Sequence, residues 1–353
     1  MRPSMREERT RHSAANMFRS IQPSPVRLSQ RSLVKLDYFD AAEKFPLVIH
    51  PVEEHLNLPQ WTANNREFVE VQLLEHGAIL FRDFSIDGVE QFESCARAIS
   101  PQLLDYHERA APRTEVSSRI YTSTEYPAEH AIPLHHEMSY SHNWPTKIWF
   151  YCAQPALVKG NTPIASDRKV FELIDPGSKR RFMQKKVMYV RNYGEGVDLS
   201  WQEAFQTSDR RVVEEYCVKA RTEFEWRDGN RLRTRQVRQA IATHPVTGDV
   251  VWFNHAHMFH TSNLEPSVRE SLLAEFKDDE LPRNAFYGDG SPIEASVLED
   301  IRAIYTNAAV SFDWQKGDML MLDNFLCSHG REPFAGPRKI LVAMAELFVN
   351  EEN

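Results

Sequence analysis

Lys316-Gly317-Asp318-Met319-Leu320-Met321-Leu322-Asp323-Asn324, followed closely by Ile340-Leu341-Val342-Ala343-Met344-Ala345-Glu346-Leu347-Phe348, decides how this chain folds. Lys316-Gly317-Asp318 has the composition of a tight turn, and Met319 to Leu322 is an apolar run too short for a helix. It reads as a buried strand ending at Asp323-Asn324, with Ile340 to Phe348 as another. Upstream, Val310, Phe312 and Trp314 alternate with polar residues, the period of a half-buried strand. Short strands joined by Gly and Asp turns point to a sandwich or jelly roll.

Working towards the N-terminus, Val250-Val251-Trp252-Phe253, Ile148 to Ala153 and Ala78-Ile79-Leu80-Phe81 read as further strands. Phe92, Cys95, Ala96 and Ile99 have the spacing of one helix face. Two later helices are expected outside the jelly roll. One starts near Pro266 and repeats Val268, Leu272, Leu273 and Phe276; the other has Ser291 as cap and Pro292 in its first turn, and repeats Val297, Ile301 and Ile304. The expected class is mainly β with helical insertions.

No Gly/Ser/Pro linker and no internal repeat divides the 353 residues. Residues 1–30, rich in Arg, Ser and Pro, read as a flexible arm, and 31–353 as a single domain. The formal charge of −8 lacks the basic face of a nucleic-acid binder. No apolar run approaches the roughly 18 residues of a membrane span, and the start lacks the apolar core of a secretory signal, so a cytoplasmic protein is expected. Cys95, Cys152, Cys217 and Cys327 have no zinc-type spacing and read as reduced thiols; Cys327 has no nucleophile-and-base pattern around it.

The chemistry is carried by Leu134-His135-His136-Glu137-Met138. On a strand, His135 and Glu137 share a face and His136 points away. An imidazole beside a carboxylate makes two corners of a metal site, and a third ligand from elsewhere would complete the two-His-one-carboxylate triad of non-haem Fe(II) oxygenases. His-x-Glu alone is a weak signal. The segment His329-Gly330-Arg331 supplies a distant histidine, and Arg338, nine residues after His329, is placed to pair bidentately with a carboxylate. Ser139 and Tyr140, just after the ligand segment, and Asn254 and His257, after a strand, are candidates to line a substrate pocket. His255, His257 and His260 cluster in sequence, which fits packing near the site better than a second metal centre.

Taken in order, several segments resemble the TauD/TfdA superfamily of Fe(II)/2-oxoglutarate-dependent dioxygenases, and within it the branch of the syringomycin-pathway aspartyl hydroxylase. They are Gly77 to Arg82, Tyr121-Thr122-Ser123-Thr124-Glu125-Tyr126-Pro127, Leu134 to Tyr140, Thr162-Pro163-Ile164-Ala165, His244 to Gly248, Trp252 to His257, and His329 to Arg331 through Gly336-Pro337-Arg338. The resemblance implies a double-stranded β-helix (jelly roll), with Fe(II) held by His135, Glu137 and His329, and with 2-oxoglutarate and O2 as co-substrates. It assigns the C5 carboxylate of 2-oxoglutarate to Arg338, supported by the Thr162 hydroxyl. It further implies hydroxylation of an unactivated C–H in an amino-acid-like substrate, free or tethered to a peptidyl carrier protein, in specialised-metabolite or antibiotic biosynthesis. Desaturation and cyclisation begin from the same chemistry.

The chain departs from the branch in three places: His136 stands where Asn is common, Lys159-Gly160-Asn161 replaces Gly-Gly-Glu, and Val342 occupies the position of an Arg in sulfonate-using relatives. Retention of Glu137, which halogenating relatives replace with a small residue, favours hydroxylation. Two readings of another class are a zinc hydrolase, which has no use for Arg338 or Thr162, and a non-catalytic jelly-roll binding protein.

Overall fold

The computed structural model describes residues 33–106, 108, 110–194 and 199–351; the expected arm, 1–30, lies outside them. The largest sheet has eight strands, in the order Val34–Asp40, Phe45–Pro51, Ala78–Phe81, Met319–Asp323, Asn143–Gln154, Lys339–Val349, Ile120–Thr122 and Glu115–Ser117. Facing it is a three-stranded sheet of Ile132–His135, Cys327–Arg331 and Ile164–Ser166. The two form the double-stranded β-helix.

Period-two alternation explains why the central strands are apolar at nearly every position. Leu80, Ile148, Phe150, Leu320, Leu322, Val342 and Met344 project between the sheets. Their neighbours Ile79, Phe81, Trp149, Tyr151, Met319, Met321 and Leu341 project to the opposite face. There they meet the helices Leu58–Asn64, Arg66–His76 and Val89–Ile99 through Leu58, Trp61, Val69, Leu73, Phe92, Cys95, Ala96 and Ile99. A sheet covered on both faces favours near-continuous apolar runs, and the buried Lys147 on Asn143–Gln154 is paired with Glu70 and Glu346.

A second four-stranded sheet, in the order Glu223–Arg227, Arg231–Arg238, Val187–Tyr193 and Arg283–Tyr287, is inserted between Ile164–Ser166 and the final strands. None of the helices among the described residues is long and apolar enough to cross a membrane. The four cysteines are free and buried.

Three local expectations are corrected. The helix expected from Ser291 and Pro292 runs over Ala295–Ala308 with Glu294 as cap. Ser291 instead closes a turn: its hydroxyl donates to Asp289 Oδ1 and its carbonyl accepts from the Tyr287 N–H. Val310 to Trp314 form no strand beyond a single bridge between Val310 and Ile164. The segment's polar groups are engaged by side chains: Arg82 donates to the Asp313 carbonyl, and Asp318 accepts from the Gln315 N–H. The strand expected to carry both His135 and Glu137 ends at His135, and Glu137 opens a turn in which Met138 has φ +58°. The helix Pro266–Glu275 does form, but it buries none of its residues, so its apolar repeat contributes little to the core.

Candidate active site

The three-stranded sheet brings distant histidines together by register. His329 on Cys327–Arg331 lies directly opposite His135 on Ile132–His135, with Ile164 on its other side. Directly opposed side chains project to the same face, and the ring centroids are 4.5 Å apart. The turn after His135 swings Glu137 back beside them. One potential ligand atom from each of His135, Glu137 and His329 lies within 4.8 Å of the others, and no other such group forms among the described residues.

The donor chemistry suits a metal. His135 Nδ1 lies 2.8 Å from the Pro133 carbonyl, so this nitrogen carries the proton and Nε2 keeps its lone pair. Burial drives the pKa of His135 down, and that of His329 further, which keeps both imidazoles neutral and able to ligate. Two residues not singled out in the sequence fix Glu137. Arg113 Nη2 donates to Glu137 Oε2 at 2.8 Å, with both side chains buried. Burial alone would lower the Arg113 pKa, but the carboxylate more than reverses this and holds it above its usual value. Asn324 grips the Glu137 backbone at both ends, accepting from its N–H at 2.8 Å and donating to its carbonyl at 2.9 Å. Neither partner has a motif. Asn324 ends an apolar strand like many turn residues, and Arg113 sits in a stretch with no clear periodicity.

A cleft leads from the two histidines to Arg338, lined on the way by Arg113, Phe150, Thr162 and Ile340. Arg338 donates through Nε to the Gly160 carbonyl at 2.8 Å, and through Nη2 to Thr162 Oγ1 at 3.4 Å. Burial brings its pKa down to about 10, so it remains cationic at neutral pH. The Thr162 hydroxyl also accepts from the Trp314 indole at 3.0 Å. A hydroxyl has two acceptor positions and one proton. With both acceptor positions occupied, the proton remains to be donated to a carboxylate in the cleft. Trp314 therefore orients Thr162, a role its alternating sequence context concealed.

The Lys159-Gly160-Asn161 departure keeps this geometry because Gly160 has φ +79° and a Cβ there would lie 2.8 Å from Phe334 Cβ and 3.2 Å from Arg338 Cδ. We expect Gly160→Ala to cost about 1–3 kcal/mol of stability through the strained backbone. It should also raise KM for 2-oxoglutarate by displacing Arg338, as read by thermal denaturation and co-substrate titration. Arg331 donates to the carbonyls of Tyr126, Pro127 and His130, anchoring the loop beside the cleft.

The remaining candidates lie behind the ligands. Ser139 Oγ is 2.6 Å from His255 Nδ1, and the His255 ring meets that of His135 at 5.5 Å between centroids. Tyr140 donates to the Glu108 carbonyl and packs on His255 and Phe259. Asn254 uses its amide on the Ala240 carbonyl and the Ala256 N–H. His257 Nε2 lies 2.8 Å from the Leu134 carbonyl, with the ring stacked on Tyr305. None of the four lines the cleft. His255, more than His257, is the ring of that cluster in contact with a ligand. His136 packs on Phe253, with Nε2 3.0 Å from Asp167 Oδ2 but poorly aligned for a hydrogen bond.

The family model described as taurine catabolism dioxygenase TauD, TfdA family matches residues 43–344. The chain is 46% identical over 274 residues to the dapdiamide synthesis protein DdaC of Enterobacter agglomerans, covering 78% of this chain and 83% of that one. It is 30% identical over 324 residues to a clavaminate synthase-like protein of Arabidopsis thaliana, covering 86% and 94%. The solved structure of PvcB from Pseudomonas aeruginosa aligns with a TM-score of 0.56 at 14% identity, covering 94% of this chain and 98% of its own. PvcB is described as an Fe, alpha-ketoglutarate dependent oxygenase from an isonitrile synthetic pathway; at that identity the likeness concerns the fold.

Proposed function

Since the chain belongs to the TauD, TfdA family and is a 2-oxoglutarate-dependent dioxygenase using Fe(II), we propose that it hydroxylates an unactivated C–H of an amino-acid-like substrate in specialised metabolism. In this reading His135, Glu137 and His329 hold the iron, which when bound supplies O2 activation and the oxidative decarboxylation of 2-oxoglutarate to succinate and CO2. Arg338 and Thr162 receive the C5 carboxylate of 2-oxoglutarate. Arg113 and Asn324 hold Glu137 in position, and Phe150 and Ile340 keep the cleft apolar between the two ends.

The observation that carries the proposal is one cleft with the His135–Glu137–His329 cluster at one end and the Arg338–Thr162 pair at the other. A zinc hydrolase has no use for the second end. Likeness to a dapdiamide synthesis protein supports a biosynthetic substrate. Val342, buried between the sheets, offers no cation for a sulfonate. Ser139 and Tyr140, through His255, would shape the wall behind His135, and Asn254 and His257 would act only by holding that wall. A peptidyl carrier protein delivering the substrate is consistent with this role, and free cysteines fit a reducing cytoplasm.

The test is a screen for succinate release with free amino acids and with the same amino acids loaded on a carrier protein. We expect stimulation by one of these classes and a product heavier by one oxygen. Stimulation confined to sulfonates, or a product that has lost two hydrogens, contradicts the proposed substrate or reaction.

A further inference from the structure

The segment His244 to Gly248 contributes no side chain to the metal cluster or to the cleft. It forms the turn between the paired strands Ile241–Thr243 and Val250–Trp252. The His244 N–H donates to the Asp249 carbonyl at 2.8 Å, and the Gly248 N–H donates to the His244 carbonyl at 2.9 Å. The His244 side chain is buried, and both ring nitrogens are engaged. Nδ1 accepts from the backbone N–H groups of Val246 and Thr247 at 3.1 and 3.0 Å. A ring nitrogen that accepts carries no proton, so the proton sits on Nε2. Nε2 therefore donates to Asp323 Oδ2, 3.1 Å away.

Asp323 is buried as well, and a buried carboxylate needs its oxygens filled. Its other oxygen, Oδ1, accepts from the N–H groups of Phe325 and Leu326 at 2.9 and 3.1 Å. These bonds close the turn between Met319–Asp323 and Cys327–Arg331. Two residues of the metal cluster depend on that turn. Asn324 lies in it, and its amide is fully used: it holds the Glu137 N–H and carbonyl and donates to the Pro145 carbonyl at 2.8 Å. His329 stands on the strand that leaves the turn. Phe325, inside it, meets the His244 ring edge-on at 5.3 Å and stacks on Phe253, so the turn is packed against the His244 hairpin as well as bonded to it.

We infer that His244 is a positioning residue for the metal centre: its Nε2–H, through Asp323, sets the turn from which Asn324 holds Glu137 and the His329 strand departs. The inference rests on the reading of His135, Glu137 and His329 as the iron ligands. Arg338 and Thr162 take no part in this chain of contacts. The effect of His244 should therefore fall on iron and leave the hold on the C5 carboxylate of 2-oxoglutarate nearly unchanged.

The test is anaerobic Fe(II) titration of the metal-free full chain at saturating 2-oxoglutarate, read by the charge-transfer band, with KM for 2-oxoglutarate measured alongside. His244→Phe should weaken Fe(II) affinity by about 10–100-fold, the range for residues that orient a metal ligand, with little change in KM. His244→Gln, whose amide can still donate to Asp323, should recover most of the loss. Asp323→Asn reaches the same contact with an isosteric side chain. In either orientation its NH2 faces a donor, the His244 N–H or the N–H groups of the turn, so Fe(II) affinity should fall as in His244→Phe. Val213→Ala, in the separate apolar cluster of the inserted sheet, should lower the melting temperature and keep wild-type Fe(II) affinity. Wild-type affinity in a folded His244→Phe or Asp323→Asn overturns the inference and leaves the iron assignment standing. So does an equal loss in Val213→Ala, or a His244→Gln no better than His244→Phe. A wild type that develops no band overturns the iron assignment itself and the inference with it.

Discussion

Glu137→Ala is expected to abolish turnover and to lower Fe(II) affinity by well over the ~10–100-fold typical of losing a mere supporting contact. The same change should destabilise the metal-free protein, which distinguishes Glu137 from the two histidines. Arg113 Nη2 sits 2.8 Å from Glu137 Oε2, and the two side chains are only 4% and 3% exposed. Removing the carboxylate leaves a buried guanidinium without its counter-charge, a loss of about 3–5 kcal/mol when one partner of a buried pair is deleted. His329→Ala removes a neutral ring and should lower metal affinity with a smaller stability cost. Chelator-treated wild type, Glu137→Ala and His329→Ala compared by urea denaturation would show this ordering. Equal stability of all three would mean that the Arg113–Glu137 pair does not operate as described.

Arg338→Ala is expected to raise KM for 2-oxoglutarate by roughly 100-fold, the loss of charge-assisted hydrogen bonds worth about 1.5–3 kcal/mol each. Because the distal carboxylate does not change during the reaction, the interaction is the same in ground and transition states, so kcat at saturating 2-oxoglutarate should fall far less. The fold should tolerate the change. Arg338 gives one strong bond to the Gly160 carbonyl, and Thr162 keeps its Trp314 partner. Steady-state titration of 2-oxoglutarate checks this, and an unchanged KM with a collapsed kcat would place Arg338 elsewhere in the reaction.

Part of this site was legible because β-structure is periodic, and part only through the ordered motifs of the resemblance. His329 and Arg338 belong to the second part; the structure places His329 in the middle of Cys327–Arg331 and Arg338 just before Lys339–Val349. The spacing of His135 and Glu137 put both on the same side of the expected strand. The spacing held for a different reason than periodicity suggested. The strand stops at His135, and a turn with Met138 at φ +58° returns Glu137 to the cluster. What the sequence concealed are the partners fixed by tertiary contact. Asn324 meets Glu137 across 187 residues and Trp314 meets Thr162 across 152, and neither leaves a local pattern. Trp314 and Phe312 alternate like strand residues, yet the segment is held by Arg82 and Asp318 and not by a ladder. Polar residues just after a strand, such as Asn254 and His257, look like pocket residues; here their side chains bond to backbone, and the ring that reaches His135 is His255.

The most direct test is anaerobic titration of the metal-free protein with Fe(II) and 2-oxoglutarate, followed by visible absorption. Wild type should develop the metal-to-ligand charge-transfer band of iron chelated by the keto acid. Arg338→Ala should need far more 2-oxoglutarate to reach it, and His329→Ala and Glu137→Ala should not develop it under the same conditions. A full band in either ligand variant, or none in wild type, would contradict the assignment of His135, Glu137 and His329 as the iron site.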